Sequence, residues 1–228
     1  EARIAEKLVR LRERVDNRLE WSRINALLGE ISYSQDGVTI AIDYGIPSTQ
    51  KDLSPSVDWD TTATADPLTD IQTWMDKVSD ATGIEPSEMI CSRKVLFYLS
   101  QNTKMRGLFQ YTTPNILTVK DIKNFISDRL GLSVLMYDAQ YTASTGTTTR
   151  FLPENKIILL PSLSELSGQE KFGDTAYVPH PHNNYSGSYY TWTDIKKDPW
   201  GIEVGVGLTA LPRLYQPSVV ATAEVWTD

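Results

Sequence analysis

The sequence predicts an α+β fold in which the beginning and the end of the chain build one domain and the middle is inserted in it. Three observations support this prediction. A long amphipathic helix opens the chain, a two-stranded hairpin follows it, and alternating apolar strands return after residue 200. Between them, from about residue 66 to residue 180, helical and strand patterns are mixed. The 228 residues suffice for one large domain or two modest ones.

Residues 1–28 are predicted to form one helix, which ends at Gly29. Apolar side chains recur at alternating spacings of three and four residues, at Ile4, Leu8, Leu11, Val15 and Leu19. The other face carries basic side chains with acidic ones between them, and the basic ones are Arg3, Lys7, Arg10, Arg14 and Arg18. The simplest interpretation is a helix that packs on a core along one side and is solvated along the other.

A hairpin is predicted directly after this helix. Strands at residues 30–34 and 38–43 flank Asp36-Gly37, which is a strong signal for a two-residue turn. Residues 48–65 are rich in Ser, Thr, Asp and Pro and contain the isolated Trp59. We expect this segment to be a loop that connects two compact units.

Three further helices are predicted from their terminal residues. The candidate N-caps are Asp66, Ser92 and Thr118, and the corresponding ends are Gly83, Leu99 and Gly131. Pro67 suits the first turn of the first of these helices, and Asp121 would complete a capping box with Thr118. Short apolar strands are expected at residues 88–91, 132–137 and 156–160.

The last third of the chain is predicted to end in strands. Residues 142–149 form a polar tip around Gly146, and residues 180–199 have the composition of a loop. From Gly201 onward apolar residues alternate, at Ile202, Val204, Val206 and Leu208, which predicts a strand. A terminal strand is expected at residues 219–225.

Composition and charge exclude some classes of protein. The formal net charge is −7, which argues against a dedicated nucleic-acid-binding protein, because these proteins usually carry a strong basic excess. The single cysteine, Cys91, has no partner for an intrachain disulfide and is typical of a protein from a reducing compartment. No stretch has the apolar length that spans a bilayer, and no signal peptide is evident. The chain begins within a helical pattern and without Met, so we expect further residues before Glu1.

Candidate catalytic and metal-binding residues are few. His180 and His182 could supply two metal ligands, with Asp174 or Asp194 completing a site, although their loop setting favours surface histidines. Cys91 could act as a nucleophile with a distant histidine, but its apolar neighbours argue against a thiolate.

Acidic residues give two further weak candidates. In Asp58-Trp59-Asp60 a Trp between two acids could bind a sugar or a cation, and Asp43 with Glu203 could form an acid/base pair. The sequence has no nucleophile elbow, no Walker phosphate loop and no Gly-x-Gly-x-x-Gly motif. We therefore predict that the protein is not an enzyme, and we assign no catalytic, cofactor-binding or metal-binding residues and no cofactor.

Five short signatures occur in a fixed order along the chain. They are Ala26-Leu27-Leu28-Gly29; Ile42 to Pro47; Ala65 to Ile71 with Trp74; Phe151-Leu152-Pro153 with Ile157 to Pro161; and Leu211 to Leu214 with Gln216-Pro217. Trp21 and the segment Gly173 to Pro179 fit the same pattern. In this order and spacing the chain resembles the major capsid protein E family of lambda-like tailed phages.

The resemblance implies the HK97-type capsid fold, which has a peripheral domain with a long spine helix and an antiparallel sheet, and an inserted α/β axial domain. Residues 1–28 then resemble the spine helix, and residues 30–60 with 200–228 the peripheral sheet. The implied division is a discontinuous peripheral domain of residues 1–65 and 186–228 and an axial domain of residues 66–185. The tip at residues 142–149 would lie near the capsomer axis.

The resemblance also implies a function. The chain would be a structural subunit of a tailed-phage or prophage icosahedral capsid that assembles with copies of itself into pentamers and hexamers around double-stranded DNA. Scaffold and decoration proteins are implied as further partners, DNA would be contacted weakly and without sequence specificity, and no membrane is involved. The protein would reside in the virion capsid, and in the host cytoplasm during assembly.

The sequence departs from the family at its front, where the N-terminal arm and the extended loop that tie neighbouring subunits together have no counterpart. Two other classes stay open. One is an encapsulin-like shell of the same fold, which encloses enzymes in a cellular compartment. The other is a hydrolase or sugar-binding module that uses Asp58-Trp59-Asp60 or the two histidines.

Overall fold

The structure is a computed structural model and describes residues 2–35, 37–109, 118–143, 146–162, 173–178, 189–198 and 200–227. The helices are α1 (Ala2–Leu27), α2 (Pro67–Thr82), α3 (Arg93–Gln101), α4 (Thr103–Phe109) and α5 (Val119–Leu130). The strands are β1 (Glu30–Gln35), β2 (Val38–Asp43), β3 (Glu88–Cys91), β4 (Ser133–Met136), β5 (Gln140–Thr142), β6 (Thr148–Arg150), β7 (Lys156–Leu160), β8 (Gly173–Tyr177), β9 (Tyr190–Lys197), β10 (Trp200–Gly207), β11 (Ala210–Leu214) and β12 (Ala221–Glu224). The fold is α+β, as the sequence predicts.

A four-stranded sheet with the order β12-β7-β3-β4 lies at the centre. β7 pairs antiparallel with β12 and with β3, whereas β3 and β4 are parallel. Successive side chains of a strand point to opposite faces of the sheet. The two central strands, β7 and β3, bury the side chains on both of these faces. Ile157 and Leu159 belong to one hydrophobic core, while Ile158 and Leu160 belong to another.

The first core lies between this sheet and the helices α2 to α5. Its largest fully buried side chains include Trp59, Ile71, Leu96, Met105 and Ile122. The rings of Trp59 and Trp74 stack with centroids 5.7 Å apart. Residues from the loop after β2 and from the end of the chain complete this core, with Leu53, Val225 and Trp226 among them.

The second core lies on the other face of the sheet and receives the last turns of α1. Ile24 packs there with Ile46, Phe151, Leu152 and Val220. Towards its N-terminus, α1 buries its predicted apolar stripe only in part, so one side of the helix is shielded and the other is exposed. Of the helices that the structure describes, none combines the length and the apolar character that crossing a membrane requires.

The opening helix and the late strands of the chain are in contact, as predicted. α1 packs against β10 and β11, and Arg23 Nε donates a hydrogen bond to Thr175 Oγ1 on β8 at 3.2 Å. The Tyr44 hydroxyl, which follows β2, donates to the carbonyl oxygen of Pro212 on β11 at 2.9 Å. The division of the chain into two domains stays a prediction.

Two strands cross the predicted domain boundary. β8 lies in the range assigned to the axial domain but pairs with β11, and β12 lies in the peripheral range but pairs with β7. Among the described strands, β12 therefore joins the four-stranded sheet and not the other late strands at residues 200–228, which the resemblance assigns to a peripheral sheet. The terminal strand at residues 219–225 is predicted from the local sequence, but the strand with which it pairs is distant in the chain and cannot be predicted from that segment.

The three predicted N-caps and the predicted ends at Gly83 and Gly131 are confirmed, whereas α3 continues two residues beyond the predicted end at Leu99, to Gln101. The side chains of Asp66, Ser92 and Thr118 accept hydrogen bonds at the starts of α2, α3 and α5, and Thr118 forms a capping box with Asp121. Gly83 and Gly131 end α2 and α5 in the left-handed conformation. That conformation strains residues with a Cβ atom, so the chain reverses at these glycines.

Some elements differ from the prediction. The loop predicted at residues 180–199 is wrong for Tyr190–Lys197, which forms β9, because its polar residues occupy solvent-facing positions of a hairpin strand. Residues 180–188 and 199 of that range lie outside the described part of the chain. The sequence reasoning also missed α4, whose start is capped by the buried side chain of Asn102.

One buried carboxylate connects the loop after β2 to α2. Asp70 is 7% exposed. It accepts hydrogen bonds from the backbone and hydroxyl of Ser56, both at 3.1 Å, and from Trp59 Nε1 at 3.0 Å. Three donors therefore depend on one side chain for their hydrogen bonds.

Cys91 is a core residue at the end of β3. Its side chain is fully buried, and burial raises the pKa of the thiol to about 12. The thiol therefore stays protonated at neutral pH and packs as a small apolar group.

Replacing Asp70 is expected to destabilise the fold. Asp70→Ala leaves three donors without an acceptor, so we expect the free energy of unfolding to fall by about 2–4 kcal/mol. Asp80→Ala is the matched control, because Asp80 is exposed on the same helix, and should change it by less than about 0.5 kcal/mol. Urea unfolding followed by Trp fluorescence measures both. Equal effects of the two substitutions would contradict the role assigned to Asp70.

The reactivity of Cys91 is expected to depend on unfolding. A thiol whose pKa is raised from 9.0 to about 12 is protonated in the folded protein at mildly alkaline pH, whereas the unfolded chain begins to form thiolate there. A disulfide reagent should therefore modify Cys91 rapidly in denaturant and at least about a hundredfold more slowly in the folded protein. Cys91→Ser should give no signal in either state. Equal rates in the two states would show that Cys91 is accessible.

Candidate functional site

The triplet Asp58-Trp59-Asp60 is structural. Trp59 is 1% exposed, with one ring face on Trp74 and its indole N–H bonded to Asp70. Asp58 accepts hydrogen bonds from the backbone N–H of Thr227 at 3.2 Å and from its hydroxyl at 2.9 Å, which holds the end of the chain. A sugar has no access to the ring, so the interpretation of this triplet as a sugar site is wrong.

Asp43 and Glu203 have separate partners. Asp43 accepts a hydrogen bond from the backbone N–H of Gly45 at 2.8 Å and closes the turn after β2. Glu203 forms an ion pair with Lys196 at 2.7 Å across β9 and β10, and this hydrogen bond raises the pKa of Lys196. The structure gives each carboxylate a local role and does not join them in an acid/base pair.

The two histidines, His180 and His182, lie outside the described residues. Of the two aspartates considered with them, Asp174 is held by Arg213 through two hydrogen bonds of 2.9 Å, and Asp194 lies opposite Glu203 in the register of β9 and β10. Within the described ranges, no three His, Cys, Asp or Glu side chains are grouped so that they could hold a metal ion.

The described surface instead contains an apolar strand face on the hairpin of β9 and β10. Ile195 lies directly opposite Ile202 in the register of the two strands, and Trp200 is two residues from Ile202 on the same face. Their exposed fractions are 69% for Ile195, 82% for Trp200 and 59% for Ile202. We call these three residues the hairpin face. Contiguous exposed apolar side chains of this size are typical of a protein–protein contact.

Aromatic rings hold the opposite side of this hairpin. Trp192 lies over Gly205 and Tyr190 over Gly207, their partners in the register, and a Cβ atom at either glycine would collide with the ring. The two rings stack with centroids 5.8 Å apart. Glycine lets the rings cover the neighbouring strand, so the hairpin has a fixed shape that presents the hairpin face to solvent.

A second surface is a cleft of about 810 Å³ between α1, the β1–β2 hairpin and the β5–β6 hairpin. We call it the basic cleft. Its main walls are Arg10, Arg14, Arg18, Trp21, Tyr33 and Tyr141. The sequence predicts a basic face on α1, but the cleft also needs two hairpins that are distant in sequence, so it could not be predicted.

Arg18 is held in the basic cleft by two rings. Its guanidinium carbon lies 4.2 Å from the ring centroid of Trp21 and 4.2 Å from that of Tyr33. Cation–π contacts of this kind fix the position of a guanidinium without neutralising its charge. The basic cleft therefore combines an ordered positive charge with aromatic walls.

A signal for the hairpin face was present in the sequence. Trp192, Ile195, Trp200 and Ile202 are large apolar residues in a segment that is otherwise polar. The sequence reasoning missed this face because it assigned residues 180–199 to a loop and so separated the two strands.

The chain matches one family over almost its whole length. The sequence model described as phage major capsid protein E matches residues 1–225. No curated protein matches the sequence with significance.

Solved structures with a similar fold include two of phage origin. A crystal structure of a protein assigned as a prophage capsid protein of Escherichia coli CFT073 has a TM-score of 0.60 and 18% sequence identity, over 95% of this chain and 65% of that one. A crystal structure of a phage-related protein from Bordetella bronchiseptica RB50 has a TM-score of 0.52 and 17% identity, over 76% of this chain and 53% of that one. This chain thus spans less than two thirds of the length of either, and the likeness shows the fold.

The family match runs from the first residue into the segment after β12, so it includes both hydrophobic cores, the hairpin face and the basic cleft. The solved structures agree with it in fold. The chain belongs to the phage major capsid protein E family.

Proposed function

We propose that this protein is a structural subunit of the icosahedral capsid of a tailed phage or prophage, with the HK97-type fold. Copies of the chain assemble into pentamers and hexamers that enclose double-stranded DNA. The observation that supports this most directly is the hairpin face, because Ile195, Trp200 and Ile202 are largely exposed on a hairpin of fixed shape. An apolar surface of this kind is stabilised when another protein covers it.

The proposed subunit has two domains. Residues 1–65 and 186–228, with β8 added and β12 removed, form the peripheral domain, in which α1 is the spine helix. The rest of residues 66–185, with β12 added, forms the axial domain around the four-stranded sheet. The tip at residues 142–149, of which residues 144 and 145 lie outside the described part, is then placed at the capsomer axis.

The proposed partners follow from the same assignment. Scaffold and decoration proteins bind the assembling or finished shell, and packaged DNA is contacted weakly and without sequence specificity. The net charge of −7 is consistent with weak contact, because tight binding of DNA requires many basic contacts. The protein resides in the virion capsid after assembly in the host cytoplasm.

Electron microscopy of the full-length gene product, expressed alone, tests the proposed function. We expect closed shells or capsomer rings, because head-to-tail contacts close into rings when the rotation fits. Nucleic acid inside the particles of an infected or induced host would support a phage capsid. Enclosed enzymes would instead indicate a compartment shell of the same fold, and a protein that stays monomeric at every concentration would contradict assembly.

The hairpin face is expected to contribute to assembly and not to the fold. Trp200→Ser with Ile202→Ser removes exposed apolar side chains, so the yield of shells or rings should fall at least about tenfold while the melting temperature changes by less than about 4 °C. Phe97→Ser is the matched control, because Phe97 is 54% exposed on α3, outside the hairpin face. Light scattering after size-exclusion chromatography measures assembly. Wild-type yields from the double variant would show that the hairpin face is not a contact.

A further inference from the structure

We propose that the basic cleft binds exposed carboxylates on α2 and the segment after it in a neighbouring copy of this chain. This contact rests on the proposed function, because it is one of the contacts through which the subunits would assemble. Its basis is a separation of charge within the chain, together with the chemistry of the basic cleft.

Positive and negative charges are concentrated in different segments. α1 carries seven basic and four acidic side chains, a net charge of +3. Residues 48–92 carry nine acidic and two basic side chains, a net charge of −7, which equals that of the whole chain. Two copies can therefore attract each other through surfaces of opposite charge, although the net charge of each copy is negative.

The basic cleft offers one guanidinium that is free for a partner. Within the described residues, no carboxylate lies within ion-pair distance of Arg14, and Arg10 has only an exposed pair with Glu6 at 2.7 Å. Arg18 is held between its two rings. A planar guanidinium binds a carboxylate through two parallel hydrogen bonds, which makes Arg14 the expected centre of the contact.

Exposed carboxylates without a cationic partner follow one another on the opposite segment. Asp76 and Asp80 are one helical turn apart on the exposed side of α2, and Glu85 follows it. No ion pair with these three residues occurs in the part of the chain that the structure describes, and Asp76 accepts a hydrogen bond from the neutral side chain of Gln72 at 2.9 Å. We call these three residues the acidic surface.

The observations favour a protein carboxylate over DNA as the occupant. A duplex carries a phosphate charge about every 1.7 Å, so it requires an extended basic surface. The basic cleft is short, includes Glu13 in its lining, and has Trp21, Tyr33 and Tyr141 as walls. A short cleft in which aromatic rings position Arg18 beside Arg14 suits a few carboxylate side chains, because a guanidinium binds a carboxylate in a planar, two-bonded geometry.

The contact is of the head-to-tail kind. Each copy has one basic cleft and one acidic surface, so each copy can bind one neighbour through each, and the contact can repeat around a ring. Every subunit then takes part in two such contacts. A charge-reversing substitution at one position therefore weakens every contact around the ring.

A charge-swap series in the full-length protein tests this contact. Arg14→Glu and the double variant Asp80→Lys with Glu85→Lys should each raise the concentration needed for assembly at least about tenfold, because like charges then face each other. The triple variant restores opposite charges across every contact and should return this concentration to within about threefold of the wild type. Lys120→Glu is the control, because it makes the same change of charge at an exposed site outside both surfaces.

Melting temperature and near-ultraviolet circular dichroism verify that each variant is folded. Assembly of the wild type is the test of the proposed function, whereas the variants test the contact. Failure of the triple variant to recover, or normal assembly of Arg14→Glu, would overturn the contact while the wild type still forms shells. Normal shells of Arg14→Glu that lose their DNA would show that the basic cleft binds DNA.

Discussion

The alternation of side chains in β7 and β3 is the constraint on which the rest of the structure depends. Ile157 and Leu159 face the helical core, while Ile158 and Leu160 face the core that receives α1. A strand buried on both faces leaves no side for solvent, so the chain must supply a layer on each. The helices α2 to α5 supply one layer, and the end of α1 with the segments after β2 and before β12 supplies the other. The two layers keep α1 and the helices α2 to α5 on opposite faces of one sheet.

The surfaces that we assign to assembly lie at the ends of elements that these two cores hold. α1 is anchored at Ile24 and Ala26, and its more N-terminal turns contribute the arginines of the basic cleft. The position of the acidic surface is set by the helical core, because α2 buries Ile71, Trp74 and Val78 on one side and exposes Asp76 and Asp80 on the other. The two cores therefore hold the basic cleft and the acidic surface in fixed positions on the same subunit.

Much of the local structure could be predicted from the sequence, because its signals lie within a few residues. The caps at Asp66, Ser92 and Thr118 and the glycines that end α2 and α5 each act within one turn of helix. The pairing of β12 with β7 and of β8 with β11 could not be predicted, because strands carry no local mark of a distant partner. The basic cleft could not be predicted for the same reason, because Tyr33 and Tyr141 are distant in sequence from the arginines of α1 and meet them only in the folded chain.

The rings that cover Gly205 and Gly207 have a consequence for evolution. Because the indole of Trp192 occupies the space that a Cβ atom at position 205 would need, a side chain at 205 requires the ring to move off the neighbouring strand. A smaller residue at 192 removes that conflict, so the two positions are coupled. Among natural homologues, a large residue at either position should therefore coincide with a small one at the other.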